Sequence, residues 1–390
     1  MNTKPFYIGI AILIVGLLFS LLGWAIYIGQ QQQDLETETK DVGYLNDLTR
    51  GVTGSGIFGG VFTDDEDTKD SEVDVSKAVL HQLYNLPIAG YYKRQENSIL
   101  FVDRATGHVF EQDLETNISE RINQATVPKV YNSIFVGGGD AVVRQSIHED
   151  GDILTIFSLS EDGSSNTSLP FLTSIEAGGG SSFAFIEKTP VSGSLGIFDV
   201  GKETRTILFE SVLKNWLLQW EGSSILITQN PSFFLLTSAM LIDSSTGSRE
   251  VILTQKKGLV TNLSPDAKEI LFSVIENNIP VLYIKNIESG EETSLNVSGF
   301  ADKCAWGESS IMCALPNYLP EGTYPDAWYT GEVSLSDSFW RIDTENLLIT
   351  KIISPESELG VSMDAVNLKI SDGVLFFKNK TDQTLWSLII

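Results

Sequence analysis

The chain has 390 residues, of which 42% are hydrophobic, so it is long enough to bury a large core. Its formal net charge of −25 repels both nucleic-acid phosphates and anionic lipid head groups. Composition therefore argues against nucleic acid as a partner and against docking onto an acidic bilayer surface.

The first predicted element is a membrane anchor in residues 1–30. Phe6 to Gly29 holds no charge and is long enough to cross about 30 Å of hydrocarbon as a helix. No small-residue cleavage pattern follows, so we expect an uncleaved span rather than a signal peptide. Lys4 precedes the span and acidic residues follow it, which puts the N-terminus in the cytoplasm. We predict a single-pass cell-membrane protein whose main domain is extracytoplasmic.

Residues 31–76 are predicted to form a flexible acidic tether, because their composition cannot bury enough apolar surface to fold. Gly54–Gly59 matches the dinucleotide pattern G-x-G-x-x-G, but no strand precedes it and no helix follows, so we interpret it as a chance match. The run Asp64–Asp70 lacks the glycine of a calcium loop and is interpreted as solvated charge.

A repeat fills the rest of the chain, residues 77–390. In LSPDAKEILFSV (Leu263–Val274), turn residues separate two apolar runs, and similar turns recur upstream and downstream. The anchor positions lie 42, 41, 43, 44 and 42 residues apart, at Arg94, Val136, Ala177, Trp220, Ser264 and Trp306. Short strands with this period predict β-propeller blades of about four strands each.

The last blade of the predicted ring lacks an outer strand. The hairpin Asn367–Phe377 and the terminal strand supply three strands, and Ala78–Asn85 is an unassigned strand candidate. We expect this segment to pair beside Thr384–Ile389, because an open ring would leave unpaired strand edges. The prediction is an all-β, seven-bladed β-propeller with one N-terminal transmembrane helix; six blades are possible if the last hairpin pairs irregularly.

The two cysteines, Cys304 and Cys313, flank a tight turn in CAWGESSIMC. A four-residue turn at Gly307–Ser310 places them opposite each other in an antiparallel pair, within disulfide range. An extracytoplasmic location would allow oxidation, so we predict a disulfide, with two buried free thiols as the alternative. No metal site is predicted, because two thiolates lack two further ligands.

An insertion, Pro316 to about Ser338, interrupts the sixth blade and is the best candidate partner-binding loop. Long loops on rigid scaffolds often carry binding residues, and aromatic side chains give large contact area at low entropic cost. The candidate residues are Tyr318, Tyr324, Trp328 and Tyr329. The alternative, weighed equally, is a loop that folds back over its own blade edge or over the central channel.

No catalytic, cofactor-binding or metal-binding residues are predicted. The sequence has neither a G-x-S-x-G nucleophile elbow nor an H-E-x-x-H helix. His148 stands beside Glu149 and Asp150, which fits a solvated hairpin turn. We therefore expect a protein that is not an enzyme and that needs no cofactor.

The stretch SPDAKEILFSVIENNIPVLYIKNIESGEE resembles the repeats of TolB-type, WD-like propellers, with Ala267 in place of the turn glycine. CAWGESSIMCALP, the insertion and the N-terminal span together look like a family of single-span, extracytoplasmic propeller proteins of candidate-phylum bacteria. The resemblance implies a propeller that binds proteins and implies no catalytic residues.

These observations predict a membrane-anchored, extracytoplasmic propeller that acts as a protein-binding or scaffolding module in the cell envelope. The alternative is a propeller hydrolase or lyase that acts on glycans or lactones. That alternative requires several Asp or Glu side chains to converge in the central channel with raised pKa values.

Overall fold

The computed structural model describes residues 79–94, 97–148, 151–159, 167–170 and 172–390. The predicted membrane span Phe6–Gly29 and the predicted tether, residues 31–76, lie outside these residues. Among the helices that the structure describes, none is both long enough and apolar enough to span a bilayer.

The described strands form seven four-stranded antiparallel sheets, which are the blades of a propeller. The prediction of seven blades is confirmed. Blades 1 to 6 each consist of four consecutive strands, counted from the innermost outward. They are β2 Ile88–Lys93, β3 Ser98–Asp103, β4 Val109–Asp113 and β5 Ser119–Arg121 in blade 1; β6 Val130–Val136, β7 Ala141–Ile147, β8 Ile153–Leu159 and β9 Thr167–Pro170 in blade 2; β10 Leu172–Ala177, β11 Ser182–Lys188, β12 Gly193–Asp199 and β13 Thr204–Ser211 in blade 3; β14 Trp216–Glu221, β15 Ser224–Gln229, β16 Leu236–Asp243 and β17 Arg249–Lys257 in blade 4; β18 Val260–Leu263, β19 Glu269–Glu276, β20 Ile279–Asn286 and β21 Glu292–Ser298 in blade 5; and β22 Cys304–Trp306, β23 Ser310–Pro316, β24 Asp337–Asp343 and β25 Ile349–Ile353 in blade 6.

Blade 7 joins the two ends of the propeller. Its order is β26 (Ala365–Ser371), β27 (Val374–Asn379), β28 (Leu385–Ile389) and then β1 (Leu80–Tyr84) on the outside. Leu80 lies opposite Leu388, and Tyr84 lies opposite Leu385. The predicted closure of the ring is therefore confirmed, and β1 covers an edge of β28 that would otherwise be open to pairing with another chain.

Helical structure in the described residues is confined to connections between strands. Helix α1 (Asp326–Tyr329) lies in the insertion, and helix α2 (Pro355–Leu359) joins blades 6 and 7. Two 3₁₀ turns, Gly137–Gly139 and Ala301–Lys303, precede β7 and β22.

Because successive strands run in opposite directions, the connections alternate between two faces of the ring. The turn face carries the turns from the first to the second strand and from the third to the fourth strand of each blade. The Ser264–Lys268 turn is one of these, and Glu269 N–H donates to Ser264 Oγ there at 2.9 Å. The insertion face carries the loops from the second to the third strand and from each blade to the next.

The core lies between neighbouring blades. Between blades 2 and 3, for example, the rings of Phe157 and Phe198 lie 5.3 Å apart, with Phe183 packed against Phe198 at the same distance. A single blade would expose both of its apolar faces, so burial between blades stabilises the whole ring rather than any one sheet.

Cys304 and Cys313 form a disulfide, as predicted. They lie opposite each other at the start of blade 6, with Ala305 opposite Met312 and Trp306 opposite Ile311. The bond joins β22 to β23, and β23 is the strand that leads into the insertion.

Candidate functional site

The insertion is the loop between β23 and β24, so it lies on the insertion face above blade 6. Its indole anchor, Trp328, is 2% exposed and stacks on Phe300, with ring centroids 5.2 Å apart and planes inclined by 5°. Trp328 Nε1–H donates to the carboxylate of Asp364 at 3.0 Å. The tryptophan thus fastens the insertion to the connections before blades 6 and 7.

A buried charge network lies beneath this tryptophan. Lys303 Nζ is 2.6 Å from Asp364 Oδ1 and 2.9 Å from Asp337 Oδ2, and all three side chains are inaccessible to solvent. Asp364 also accepts from Leu335 N–H, and Asp337 accepts from Ala365 N–H. The network therefore connects the C-terminal end of the insertion to the start of blade 7.

The charges in this network shift one another's ionisation. Burial raises the pKa of Asp337 to about 6, although Lys303 acts in the opposite direction. Burial would lower the pKa of Lys303, but Asp337 and Asp364 overcome it and leave that pKa above its ordinary value. Because solvent does not reach the three groups, we interpret the network as structural rather than catalytic.

Further contacts spread the insertion across the face. Asp326 accepts from Ser232 Oγ at 3.1 Å and from Phe233 N–H at 2.7 Å, both in blade 4. Lys380 of blade 7 donates to the carbonyl oxygen of Trp328 at 2.6 Å. These partners belong to blades 4 and 7. The insertion is therefore held to this face at points outside its own blade.

The structure separates the four aromatic residues predicted to bind a partner. Trp328 and Tyr324 are buried, and Tyr324 Oη donates to the carbonyl oxygen of Pro320 within the loop. Tyr318 is 61% exposed, and Tyr329 is 38% exposed with its hydroxyl donating to Asp302 at 2.6 Å. Two of the four residues thus pack within the protein, while Tyr318 and Tyr329 stay accessible to a partner; partner binding by this loop stays a prediction.

A second feature of the insertion face was missed by sequence reasoning. Large apolar side chains are exposed on three neighbouring connections of blades 3 and 4, with Phe234 75% exposed and Val212 82% exposed. We call this group the 3–4 patch; its members are Val191, Val212, Leu213, Phe234, Leu235 and Leu236. The sequence signal was the run Phe233–Leu236, which sits where the repeat places a loop and where polar residues would be ordinary.

The central channel holds the third group of candidate residues. A cavity of about 600 Å³ is lined by the inner strands of the ring, and Glu176 and Glu221 enter it from blades 3 and 4. Burial raises the pKa of Glu176 to about 7, with Lys369 of blade 7 acting in the opposite direction. Burial also raises the pKa of Glu221. Both residues stand near the ends of their strands, at the mouth on the turn face.

The fold is similar to known propeller structures. The β-propeller domain of Cps50 (Swd1) from Myceliophteria thermophila matches with a TM-score of 0.54 at 11% identity, over 80% of this chain and 100% of that chain. An oligogalacturonate lyase in complex with manganese matches with a TM-score of 0.52 at 12% identity, over 80% of this chain and 90% of that chain. A puromycin-hydrolyzing peptidase of Mycobacterium tuberculosis has a TM-score of 0.51 at 11% identity, over 76% of this chain and 52% of that chain.

These likenesses show the fold alone. No family model and no curated protein sequence matches this chain. The match to the tricorn protease has a TM-score of 0.39 and spans 37% of that protein's chain. The chain is therefore a seven-bladed β-propeller, and its function has to be argued from its own surfaces.

Proposed function

We propose that this protein is a membrane-tethered, extracytoplasmic propeller that binds a protein partner in the cell envelope through its insertion face. The observation that carries this proposal is the 3–4 patch together with the exposed tyrosines Tyr318 and Tyr329 on the same face. Soluble proteins rarely leave adjoining large apolar side chains in water, and such patches commonly mark interaction sites.

The arrangement of the face supports the proposal. Phe233 packs against the buried cluster that contains Trp328 and Tyr324. The blade 4 loop that carries Phe233 and Phe234 and the insertion are therefore held by the same hydrophobic cluster. A surface held in place before binding loses little conformational entropy when a partner docks. The insertion then contributes rigidity to the site as well as its two exposed tyrosines.

The tether and the location rest on the sequence and on one structural feature. In this proposal the uncharged run Phe6–Gly29 anchors the protein in the membrane, and residues 31–76 form the tether between the anchor and the propeller. The Cys304–Cys313 disulfide fits an oxidising compartment, which agrees with a propeller outside the cytoplasm.

The test compares two faces of the same ring. Crosslinking mass spectrometry on intact cells would identify the neighbours of the full-length protein and report which side of the membrane the propeller occupies. The variant F234S/L235S should lose protein crosslinks on the insertion face. The matched variant I118S/L348S, which alters exposed apolar residues of the turn face, should keep them. Equal crosslinking by both variants, or no protein neighbour at all, would contradict the proposal.

A second candidate function is hydrolysis or elimination on a glycan or lactone in the channel. The specific observation is that Glu176 and Glu221 enter one open channel with raised pKa values, which suits general acid–base work near neutral pH. The fold is compatible with either function, since similar structures include both a lyase and the Cps50 (Swd1) domain.

Oligosaccharide and lactone panels would test the second candidate. Turnover by the wild-type protein that falls about 100-fold or more in E176Q would support it, because general acid–base catalysis contributes at least that much. The variant E111Q, which changes a carboxylate of blade 1 outside the channel lining, is the control. An inactive wild-type protein, or equal activity in E176Q, would count against catalysis.

A further inference from the structure

The 3–4 patch is continuous across two blades. Lys214 donates to the carbonyl oxygen of Pro190, which joins the connection between blades 3 and 4 to the loop that holds Val191. Trp216 Nε1–H donates to Leu213 O at 3.0 Å. Trp216 lies opposite Gln229, the last residue of β15, after which the loop with Phe234 begins. A partner can therefore contact Val191, Val212 and Phe234 at the same time.

Lysines surround the patch, although the chain as a whole carries a net charge of −25. Lys188 ends β11, Lys214 lies between blades 3 and 4, and Lys257 ends β17 opposite Leu236. Lys257 Nζ stands 3.4 Å from the ring centroid of Phe233. Among the described residues, none of these three lysines forms a salt bridge with a carboxylate.

Carboxylates near the patch offset part of this positive charge. Arg205 neutralises Glu187, whereas Asp326, within the described residues, accepts only from the neutral groups Ser232 Oγ–H and Phe233 N–H and keeps its negative charge. Glu210, near the end of β13, carries a further negative charge beside the patch. The three lysines outnumber the two unneutralised carboxylates, Asp326 and Glu210, so these named groups carry a net positive charge of one around an apolar centre.

From this juxtaposition we infer that the partner, whose existence rests on the proposed function, docks on the 3–4 patch through a protein segment that combines large apolar side chains with Asp or Glu. Apolar burial would supply affinity at the centre of the contact, and Lys188, Lys214 and Lys257 would select acidic partners at its rim.

Two other occupants fit the surface less well. An anionic bilayer would be repelled by the net charge of −25. The chain's own segment Ile57–Asp70 has apolar residues followed by acidic ones, but it joins the propeller through Leu80. Leu80 lies opposite Leu388, on the turn face of blade 7, so this segment would have to cross to the other face on the far side of the ring.

The experiment places a photo-crosslinker, p-benzoylphenylalanine, at Phe234 of the full-length protein in intact cells. We expect adducts with a protein segment rich in both apolar and acidic residues. K188E/K214E/K257E should lower the adduct yield about ten-fold or more, and K188Q/K214Q/K257Q should lower it less. The control K268E reverses an exposed lysine of the turn face and should leave the yield unchanged.

Each other result has a definite meaning. Protein adducts that lack acidic residues, or that ignore the charge reversal while thermal unfolding shows intact folding, would overturn this inference and leave the proposed function standing. Lipid adducts alone, or no adducts, would overturn both. A crosslink to residues 57–70 of the same chain would replace the partner with an internal segment and overturn the inference.

Discussion

Lys303 is a fully buried cation that faces two buried carboxylates, so the site carries one negative charge more than its lysine neutralises. Within the described part of the chain, Asp337 Oδ1 has no hydrogen-bond partner, which fits a carboxyl whose charged form is disfavoured by burial. Removing the cation from such a site is costly because it leaves uncompensated buried charge.

The first prediction concerns this lysine. K303M should destabilise the propeller by roughly 3–5 kcal/mol at pH 7, measured by urea unfolding, because both aspartates lose their counter-ion. D337N should cost much less, since an asparagine can still accept from Lys303 and Ala365 without a charge. The loss in K303M should shrink at pH 5, where Asp337 can take up a proton. A K303M variant within about 1 kcal/mol of wild type would show that the network contributes little.

Asp243, unlike the buried Asp337, lies in a solvent-exposed turn where hydrogen bonds favour its charged form. Its Oδ1 accepts from the hydroxyl and backbone N–H groups of Ser245 and Thr246, and these bonds lower its pKa to about 2. Since the pKa in the folded protein lies below the ordinary aspartate value of 3.8, the stabilisation is present above pH 4. It is lost as the pH falls through about 2.

The second prediction follows from the lowered pKa of Asp243, which makes stability fall with the pH. The wild-type melting temperature should fall between pH 4 and pH 2, and D243N should fall less steeply over the same interval. Asn286 holds the equivalent turn of blade 5, where its Oδ1 accepts from Ser289 N–H, so an amide suits this position. Parallel slopes for D243N and wild type would mean that Asp243 does not couple to unfolding.

At the scale of elements, the same turn joins the third strand to the fourth in five of the blades, counted over the residues that the structure describes. An Asp or Asn ends the third strand, and the residue four positions later has a positive φ. These residues are Asn117, Glu203, Gly247, Gly290 and Leu347. Glycine adopts this conformation freely, whereas a side chain with a Cβ atom is strained there.

The third prediction substitutes the residue with positive φ in two of these turns. E203G should stabilise the protein by up to about 1 kcal/mol, because relief of strain at φ 52° exceeds the added flexibility of the unfolded chain. G247A should destabilise it by about 1 kcal/mol, because alanine is strained at φ 70°. Chemical unfolding of both variants measures the difference. If E203G is the less stable of the two, turn strain does not limit stability.

The repeated turns also explain what the sequence could reveal. Turn residues and apolar runs act locally, so the period, the strands of blade 5 and the Cys304–Cys313 pairing were all predictable. The burial of Trp328 was not, because it depends on Asp364, 36 residues later in the chain, and on Phe300 before it. An aromatic loop gives the same local pattern whether its rings face a partner or its own scaffold.

At the scale of the whole molecule, ring closure depends on five residues, Leu80–Tyr84. Without β1, the backbone groups of β28 would face solvent along the edge of blade 7 and could pair with another chain. The closing strand thus protects the propeller from association as well as completing it.

The fourth prediction removes this strand. Deletion of residues 80–84 should lower the melting temperature by more than about 5 °C and produce concentration-dependent oligomers in light scattering. Deletion of residues 35–39 removes the same length from the predicted tether and should change neither. Wild-type stability after loss of β1 would show that blade 7 closes the ring with three strands.

The position of β1 has a consequence for how the protein is made. Leu80 emerges from the ribosome about 300 residues before Leu388, its partner, which corresponds to roughly 15–60 s of synthesis at ordinary rates. Through that interval β1 lacks its partner strand, and the polar side chains of His81 and Gln82 limit the apolar surface that it exposes. Because β1 pairs with β28, a nascent chain halted before Leu385 cannot complete blade 7 or close the ring.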